Sequence, residues 1–220
     1  MIQLITDHFF HVVPILVAGV LAVSIMVERF FTLFKTYSLP DGPGFNQKIN
    51  EFILQGKLNE ALAYCLQFPG KPSAHVAQEA LKRAHQTEDL IQSAIELIRN
   101  RSVEKIQKRT HYLATIANVS TLLGLLGTIA GLIQSFGAVG SADPQQKAQI
   151  LSNGISTAMN ATLMGLGVAV PCMIVFSLLM NKANQILAEL DDTSLTVLDS
   201  LMTLSFEGAP EQPPSTRSAS

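Results

Sequence analysis

Tryptophan is absent, and only two cysteines occur, Cys65 and Cys172. The first absence removes the commonest residue that anchors helices at a membrane–water boundary. Phe9, Phe10, Phe30, Phe31, Phe34 and Tyr37 surround one apolar run and can cover part of that role. Two cysteines supply neither a disulfide framework nor a zinc pattern. Charge is scarce too: 15% of residues are Asp, Glu, Lys or Arg, against about 25% in an ordinary soluble domain. The formal net charge is -2, so no polybasic surface for nucleic acid is indicated. The shortage is uneven. Three long segments hold almost no charge and the rest is normally polar, the pattern of membrane spans separated by soluble segments.

The first apolar run covers residues 9–27, interrupted by His11, Pro14 and Ser24. At about 1.5 Å per residue it matches the hydrocarbon thickness of a bilayer. A cleavable leader would need basic residues before the run and a small-residue cleavage site after it. Residues 1–8 contain no Lys or Arg, and Glu28-Arg29 follows directly. An uncleaved helix is therefore expected. The second run, residues 113–136, reads LATIANVSTLLGLLGTIAGLIQSF. The third, residues 154–180, reads GISTAMNATLMGLGVAVPCMIVFSLLM. Neither contains Asp, Glu, Lys, Arg or His, and each is long enough to span with some tilt. The expected fold is all-α: a polytopic membrane protein with three transmembrane helices and a helical cytoplasmic domain.

Basic residues set the orientation. Residues 28–112 carry most of the Lys and Arg, whereas 137–153 carry only Lys147. This places 28–112, the helix 181–206 and the tail 207–220 in the cytoplasm, and residues 1–8 and the loop 137–153 outside. The expected location is the cell's inner membrane, with the N-terminus periplasmic and the C-terminus cytoplasmic.

Within 28–112, SLPDGPG (38–44) and Pro69-Gly70-Lys71-Pro72 mark breaks. Helices are expected over 45–66, with a break near Gly56, and from about Ser73 to Ala84. Another should start near Thr87, with Glu88 and Asp89 favourably placed in its first turn. No Gly or Pro occurs from Glu88 to Leu123, so one long helix is expected to run into the second span. Its alternating charges, from Glu96 to Arg109, suit either a solvated face or a charged vestibule. In 181–204, Ile186, Leu190, Val197 and Leu201 form a stripe that should pack on the cytoplasmic helices or on a neighbouring subunit. Residues 207–220 lack apolar periodicity, and disorder is expected there.

The second span repeats Thr121, Gly124, Thr128, Gly131 and Ser135 at steps of three and four, on one face. The third places Ala158, Thr162, Gly165, Ala169 and Cys172 together, with Ser156, Thr157 and Asn160 near its outer end. Small residues let helices approach closely in lipid. The hydroxyls suit a polar, uncharged lining for water or an ion, although a helical Thr can also bond its own backbone. Pro171 should kink the third span. Proton relays normally need an ionisable group at depth; the second and third spans have none, so if the chain conducts, the titratable group must come from another chain. No P-loop, Ser-His-Asp set or metal-ligand cluster supports an enzyme.

These two span sequences resemble the ExbB/TolQ/MotA family of proton-channel motor subunits. GLLGTIAGLIQSF is similar to the family's GLLGTVxGIxxSF, and GISTAMNATLMGLGVAVP to its GIxEALxATAxGLxxAIP. VERFF resembles the Glu-Arg pair that closes the first span there. The layout is closest to the ExbB/TolQ branch, since MotA has four spans. The resemblance implies an inner-membrane motor subunit that uses the proton or sodium motive force to energise envelope processes such as TonB-dependent uptake or Tol-type function. It implies a homopentamer around two copies of an ExbD- or TolR-like single-span partner bearing a transmembrane Asp. A TonB- or TolA-like envelope-spanning protein is the further partner, and no cofactor is implied beyond transported H+ or Na+. Carried over, Thr128 and Thr162 are the hydroxyls nearest the partner's Asp, Gly127, Gly131 and Gly165 allow close approach, and Pro171 matches the family proline. Thr157 stands where the family commonly has Glu, and Ser120-Thr121 where it often has Ala-Pro. Thr157 and Asn160 could therefore offer oxygens to Na+. The competing expectation is a scaffold that anchors cytoplasmic helices without conducting.

Overall fold

Long apolar runs satisfy their backbone groups internally as helices, and the computed structural model follows this rule even through Pro14, Pro171 and the glycines of the second and third runs. It describes residues 9–140 and 143–207; the expected outer N-terminus (1–8) and most of the expected tail lie outside the described residues. Among the described residues, seven α-helices follow in order: α1 (Phe9–Phe31), α2 (Gly42–Leu54), α3 (Leu58–Leu66), α4 (Pro72–Lys82), α5 (Glu88–Gln107), α6 (Thr110–Gly140) and α7 (Lys147–Glu207). A π-helical turn, Thr32–Tyr37, follows α1. Among the described residues there is no strand. Three helical stretches are long and apolar enough to cross a membrane, with mean hydropathy of 2.0, 1.9 and 2.3 in their most apolar windows. Only 17–22% of each window is buried within the chain, so most of this apolar surface is left for lipid or neighbouring subunits to cover.

The chain divides into two units: residues up to Leu33 with Gln107–Ala183, and Phe34–Ile106 with the residues from Asn184 onward. In the first unit α1 packs against α6. Pro14 lies within α1 and Pro171 within α7, and both helices continue through them.

The second unit has an ordinary hydrophobic core. Phe45, Ile49 and Ile53 of α2 meet Ala61 and Cys65 of α3, Val76, Ala77 and Ala80 of α4, and Ile91 and Ile95 of α5. Leu190, Val197 and Leu201 of α7 join them, so this part of the expected stripe packs on the helices of its own chain. Phe45 stacks on Tyr64, with ring centroids 5.6 Å apart. Gly56 and Gly70 adopt φ of +71° and +79°, which explains why the chain turns at those two sequence breaks. Asp41 caps α2, its carboxylate accepting from the Gly44 N–H at 3.0 Å. Three side-chain hydrogen bonds fix α7 to α2: Asn46 donates to Asp192 at 2.9 Å, Thr193 donates to Asn46 at 2.7 Å, and Ser200 donates to Asn50 at 2.7 Å. Arg99 of α5 makes a two-pronged pair with Asp191, both side chains staying about two-fifths exposed, which suits a solvated, salt-bridged helix face.

Two expectations about helix ends are corrected. The loop expected over 137–153 is shorter, because α6 continues to Gly140 and α7 begins at Lys147; Gly137 weakens a helix without ending it, while Pro144 starts the turn. The single helix expected from Glu88 into the second span is broken at Lys108–Arg109. Arg109 has φ of 63°, a left-handed conformation that costs about 1–2 kcal/mol for a residue with a Cβ. Its guanidinium donates to both carboxylate oxygens of Glu28, at 3.0 and 2.8 Å. No glycine marks this break, so composition could not show it. Arg109→Val, which puts a β-branched residue at positive φ, should lower stability by about 1–2 kcal/mol or more, whereas Arg109→Gly should be close to neutral as backbone relief offsets the lost ion pair. Thermal unfolding of the purified variants checks this; equal stability of the two would contradict a strained Arg109.

Both cysteines are buried, Cys65 at 3% and Cys172 at 1% exposure. Burial pushes the Cys65 thiol up to about 12, so its nucleophilic thiolate is scarce near neutral pH. A water-soluble maleimide at pH 7–9 should leave both cysteines of the folded chain unmodified and label both after denaturation; mass spectrometry of the labelled protein reads the outcome, and rapid native labelling of Cys65 would contradict this core.

Candidate functional site

Between α6 and α7 the two backbones touch. A Cβ added at Gly124 would lie 3.2 Å from the Ala161 carbonyl oxygen and from the Gly165 Cα. One at Gly165 would lie 2.6 Å from the Ser120 carbonyl oxygen and 2.9 Å from the Gly124 Cα. One at Gly131 would lie 2.9 Å from the Ala158 Cβ. Gly127 is buried in the same face. The small-residue stripes of the two spans therefore meet each other, as expected of close packing without a hydrophobic driving force.

Close approach brings the hydroxyls within reach of the opposite backbone. Thr128 Oγ1 lies 3.1 Å from the carbonyl of Gly124 on its own helix and 3.3 Å from that of Ala158 on α7. Thr162 Oγ1 donates across to the Gly124 carbonyl at 3.2 Å, and the two hydroxyls are hydrogen-bonded to each other. Each threonine has one O–H proton, so these four contacts cannot all be satisfied at once. When Thr162 donates to Thr128, Thr128 donates to a carbonyl; when Thr128 donates to Thr162, Thr162 donates to Gly124. The cluster can thus reverse its proton orientation without losing a hydrogen bond. Its four oxygens are uncharged and hard, a set that suits water or a small cation and supplies no fixed charge.

Next to this cluster, toward the C-terminal end of α6, two polar cavities adjoin. A volume of about 30 Å³, large enough to admit water, is lined by Gly127, Gly131, Gln134, Thr157 and Ala158 among others. A larger space of about 380 Å³ is lined by Gly131, Gln134, Ser135, Gly154 and Thr157 among others. Ser135 donates to the Gly131 carbonyl at 2.7 Å and Thr157 to the Asn153 carbonyl at 2.8 Å. Any Cβ at Gly154 would collide with the Ser135 hydroxyl, so glycine is required there to keep the two helices at this spacing.

The structure brings Thr128 and Thr162 together, and separately Ser135 and Thr157. It does not bring Thr121 or Asn160 to either group. Thr121 is exposed and its hydroxyl donates to its own Ala117 carbonyl at 3.0 Å. A seven-residue row drifts by about 20° per repeat around a straight helix. Ser135 is accordingly buried, Thr128 half-buried and Thr121 exposed. Asn160 is half-buried and lines neither cavity. Pro171 lines an apolar groove with Gly19, Val23 and Cys172.

Two residues were missed by sequence reasoning. Gln134 lines both polar cavities; an amide inside an apolar run was the available signal. Ser120 takes the interior position beside Thr121, fully buried, and its hydroxyl has no hydrogen-bond partner among the described residues. Among the described residues no cluster of His, Cys, Asp or Glu could hold a metal ion.

Residues 70–192 match the model of the MotA/TolQ/ExbB proton channel family. A Synechocystis protein called putative biopolymer transport protein ExbB-like 3 is 30% identical over 74% of this chain and 76% of its own length. The Tol-Pal system protein TolQ of Haemophilus influenzae is 37% identical over 42% of this chain, and this match spans only 40% of that relative. A chain in the solved structure of C. jejuni MotAB shares the fold with a TM-score of 0.55 and 17% identity, covering 94% of this chain and 84% of that one.

Gly165→Ala should destabilise the first unit by about 1–3 kcal/mol, because the atoms it meets are backbone and only a separation of α6 and α7 makes room. Gly137→Ala, with nothing within 4 Å, should be neutral or slightly stabilising. Thermal unfolding of both variants in the same lipid environment tests the contact; equal midpoints would refute it.

Proposed function

Because this chain belongs to the MotA/TolQ/ExbB proton channel family, we propose that it is the ion-channel subunit of an inner-membrane motor of the ExbB/TolQ type, using a proton or sodium gradient to drive a process in the cell envelope. The observation that carries this reading is the hydrogen-bonded Thr128–Thr162 pair. It places hydroxyl oxygens and two free-turning protons at a helix contact that contains no ionisable group.

Such a cluster can orient water or pass a proton by exchanging hydrogen bonds, but it cannot hold a charge. The charge-bearing carboxylate belongs, in this reading, to a single-span partner with a membrane Asp. Several copies of this chain, five in the expected arrangement, surround that partner with their apolar faces toward lipid and toward one another. Gln134, Ser135 and Thr157 then form the wet outer approach to the threonines. The N-terminus is periplasmic, and the second unit with the C-terminus is cytoplasmic. The family is a class of channel and motor subunits rather than of enzymes, and the chain's role here is to conduct.

The test uses the complex purified from its own membranes and reconstituted into liposomes carrying a pH-sensitive dye. Val matches Thr in shape but lacks the hydroxyl. Thr128→Val and Thr162→Val should each slow gradient-driven proton entry by roughly tenfold or more, the scale of one lost hydrogen bond in a rate-limiting passage, while the assembled size stays unchanged. Thr128→Ser should retain most of the flux. Repeating the assay under a sodium gradient identifies the ion. Wild-type flux of both ions in the two Val variants would remove the threonines from the pathway, and no gradient-driven flux in the wild-type complex would favour the scaffold reading.

A further inference from the structure

The second unit contains a cavity of about 260 Å³ with a mixed polar and apolar lining, to which none of the candidate ion-pathway residues contributes. Thr36 and Tyr37 line it from the π-helical turn, Lys71 and His75 from the start of α4, and Ser102 and Lys105 from α5. No carboxylate lines it. Lys71 Nζ donates to the carbonyls of Lys35 at 3.0 Å and Ser38 at 2.6 Å, which holds the ammonium in place and leaves its third N–H available. No carboxylate pairs with Lys71 among the described residues, and burial pushes its ammonium below the usual lysine range.

Ser102 supplies the second observation. It is only 8% exposed, it lines the cavity, and its hydroxyl makes no hydrogen bond to the described residues. A serine in a helix normally bonds a carbonyl one turn back; this one keeps both its proton and its lone pairs for whatever fills the cavity. The amides that open α4 add to the same field, since Lys71 at its N-cap makes no side-chain cap and Pro72 follows directly.

We propose that this cavity binds a phosphoryl group, held by Lys71 and Lys105 as cations and by Ser102 as a hydroxyl donor. Lysines with hydroxyl donors and helix-terminal amides match the charge and acceptor oxygens of a phosphate, and the volume admits one such group. Two sources share this chemistry: soluble phosphate and the headgroup of an anionic phospholipid. The lipid source rests on the reading of α1 as a span with this unit on the cytoplasmic side. In sequence, Thr36 and Tyr37 follow the end of α1 at Phe31 by only five and six positions.

The experiment uses the full-length protein in neutral detergent, with unfolding followed by a thiol-reactive dye that reports the two buried cysteines. Inorganic phosphate is titrated against chloride at constant ionic strength. In parallel, native mass spectrometry records phosphatidylglycerol retained from nanodiscs. The probe variant is Ser102→Ala with Lys105→Gln, which leaves the backbone bonds of Lys71 intact; Lys105→Arg alone keeps the charge.

A saturable rise in the unfolding midpoint with phosphate, weakened roughly tenfold or more in apparent affinity in the double variant and kept by Lys105→Arg, supports the soluble source. Retention of phosphatidylglycerol without a phosphate response, lost in the double variant and kept by Lys105→Arg, supports the headgroup source. Neither effect in the wild type, or equal effects in the wild type and the double variant, overturns the proposal. The readout is binding rather than flux, so failure here leaves the threonine pathway standing, and failure of that pathway leaves this site to be judged on its own.

Discussion

The contact of Gly124 on α6 with Gly165 on α7 is the constraint on which the rest of the site depends. Side chains cannot intervene there, so backbone carbonyls of one helix come within reach of hydroxyls on the other. In lipid no hydrophobic force pulls two apolar helices together, and dispersion contacts between flat glycine surfaces take its place. The same closeness gives Thr128 and Thr162 their shared oxygens. Larger residues at the glycines would separate the helices and leave each threonine bonded only to its own backbone, as Thr121 is.

The two units are stabilised by different physics. The Phe34–Ile106 unit buries Phe45, Ile49, Ile53 and their partners around an apolar core, the ordinary driving force of a water-soluble domain. It adds local polar contacts, such as Asn46 with Asp192 and Thr193. The unit that contains α1 and α6 leaves much of its apolar surface uncovered, with Val20, Leu122, Ile133 and Leu163 about two-thirds exposed. α7 contributes to both units, and its composition changes accordingly from the uncharged stretch of residues 148–180 to the Asp191 and Asp192 ligands of Arg99 and Asn46.

Much of this was legible in the sequence. Charge-free runs of sufficient length identify three candidate spans, and the meeting of small-residue stripes follows from their spacing. The Leu190, Val197 and Leu201 stripe found its partners as periodicity predicts. What escaped has physical causes. The break at Arg109 uses an arginine where composition would lead one to expect glycine, with Glu28, distant in sequence, bonded to its guanidinium. Ser120 displaced Thr121 from the packed face because helical rotation does not close after seven residues. Gln134 gained its place only through the cavities that α6 and α7 enclose together, which no single helix reveals. The cavity lined by Lys71, Ser102 and Lys105 assembles residues from three segments, so spacing alone gave no signal for it.

In the proposed function, this chain conducts only together with a carboxylate it does not itself carry. Native mass spectrometry of the complex purified from its own membranes tests this most directly. The expected result is several copies of the chain, five in the expected arrangement, bound to a small single-span protein with an Asp inside its membrane helix. A complex that contains no such protein, under conditions that keep other membrane assemblies intact, would contradict it.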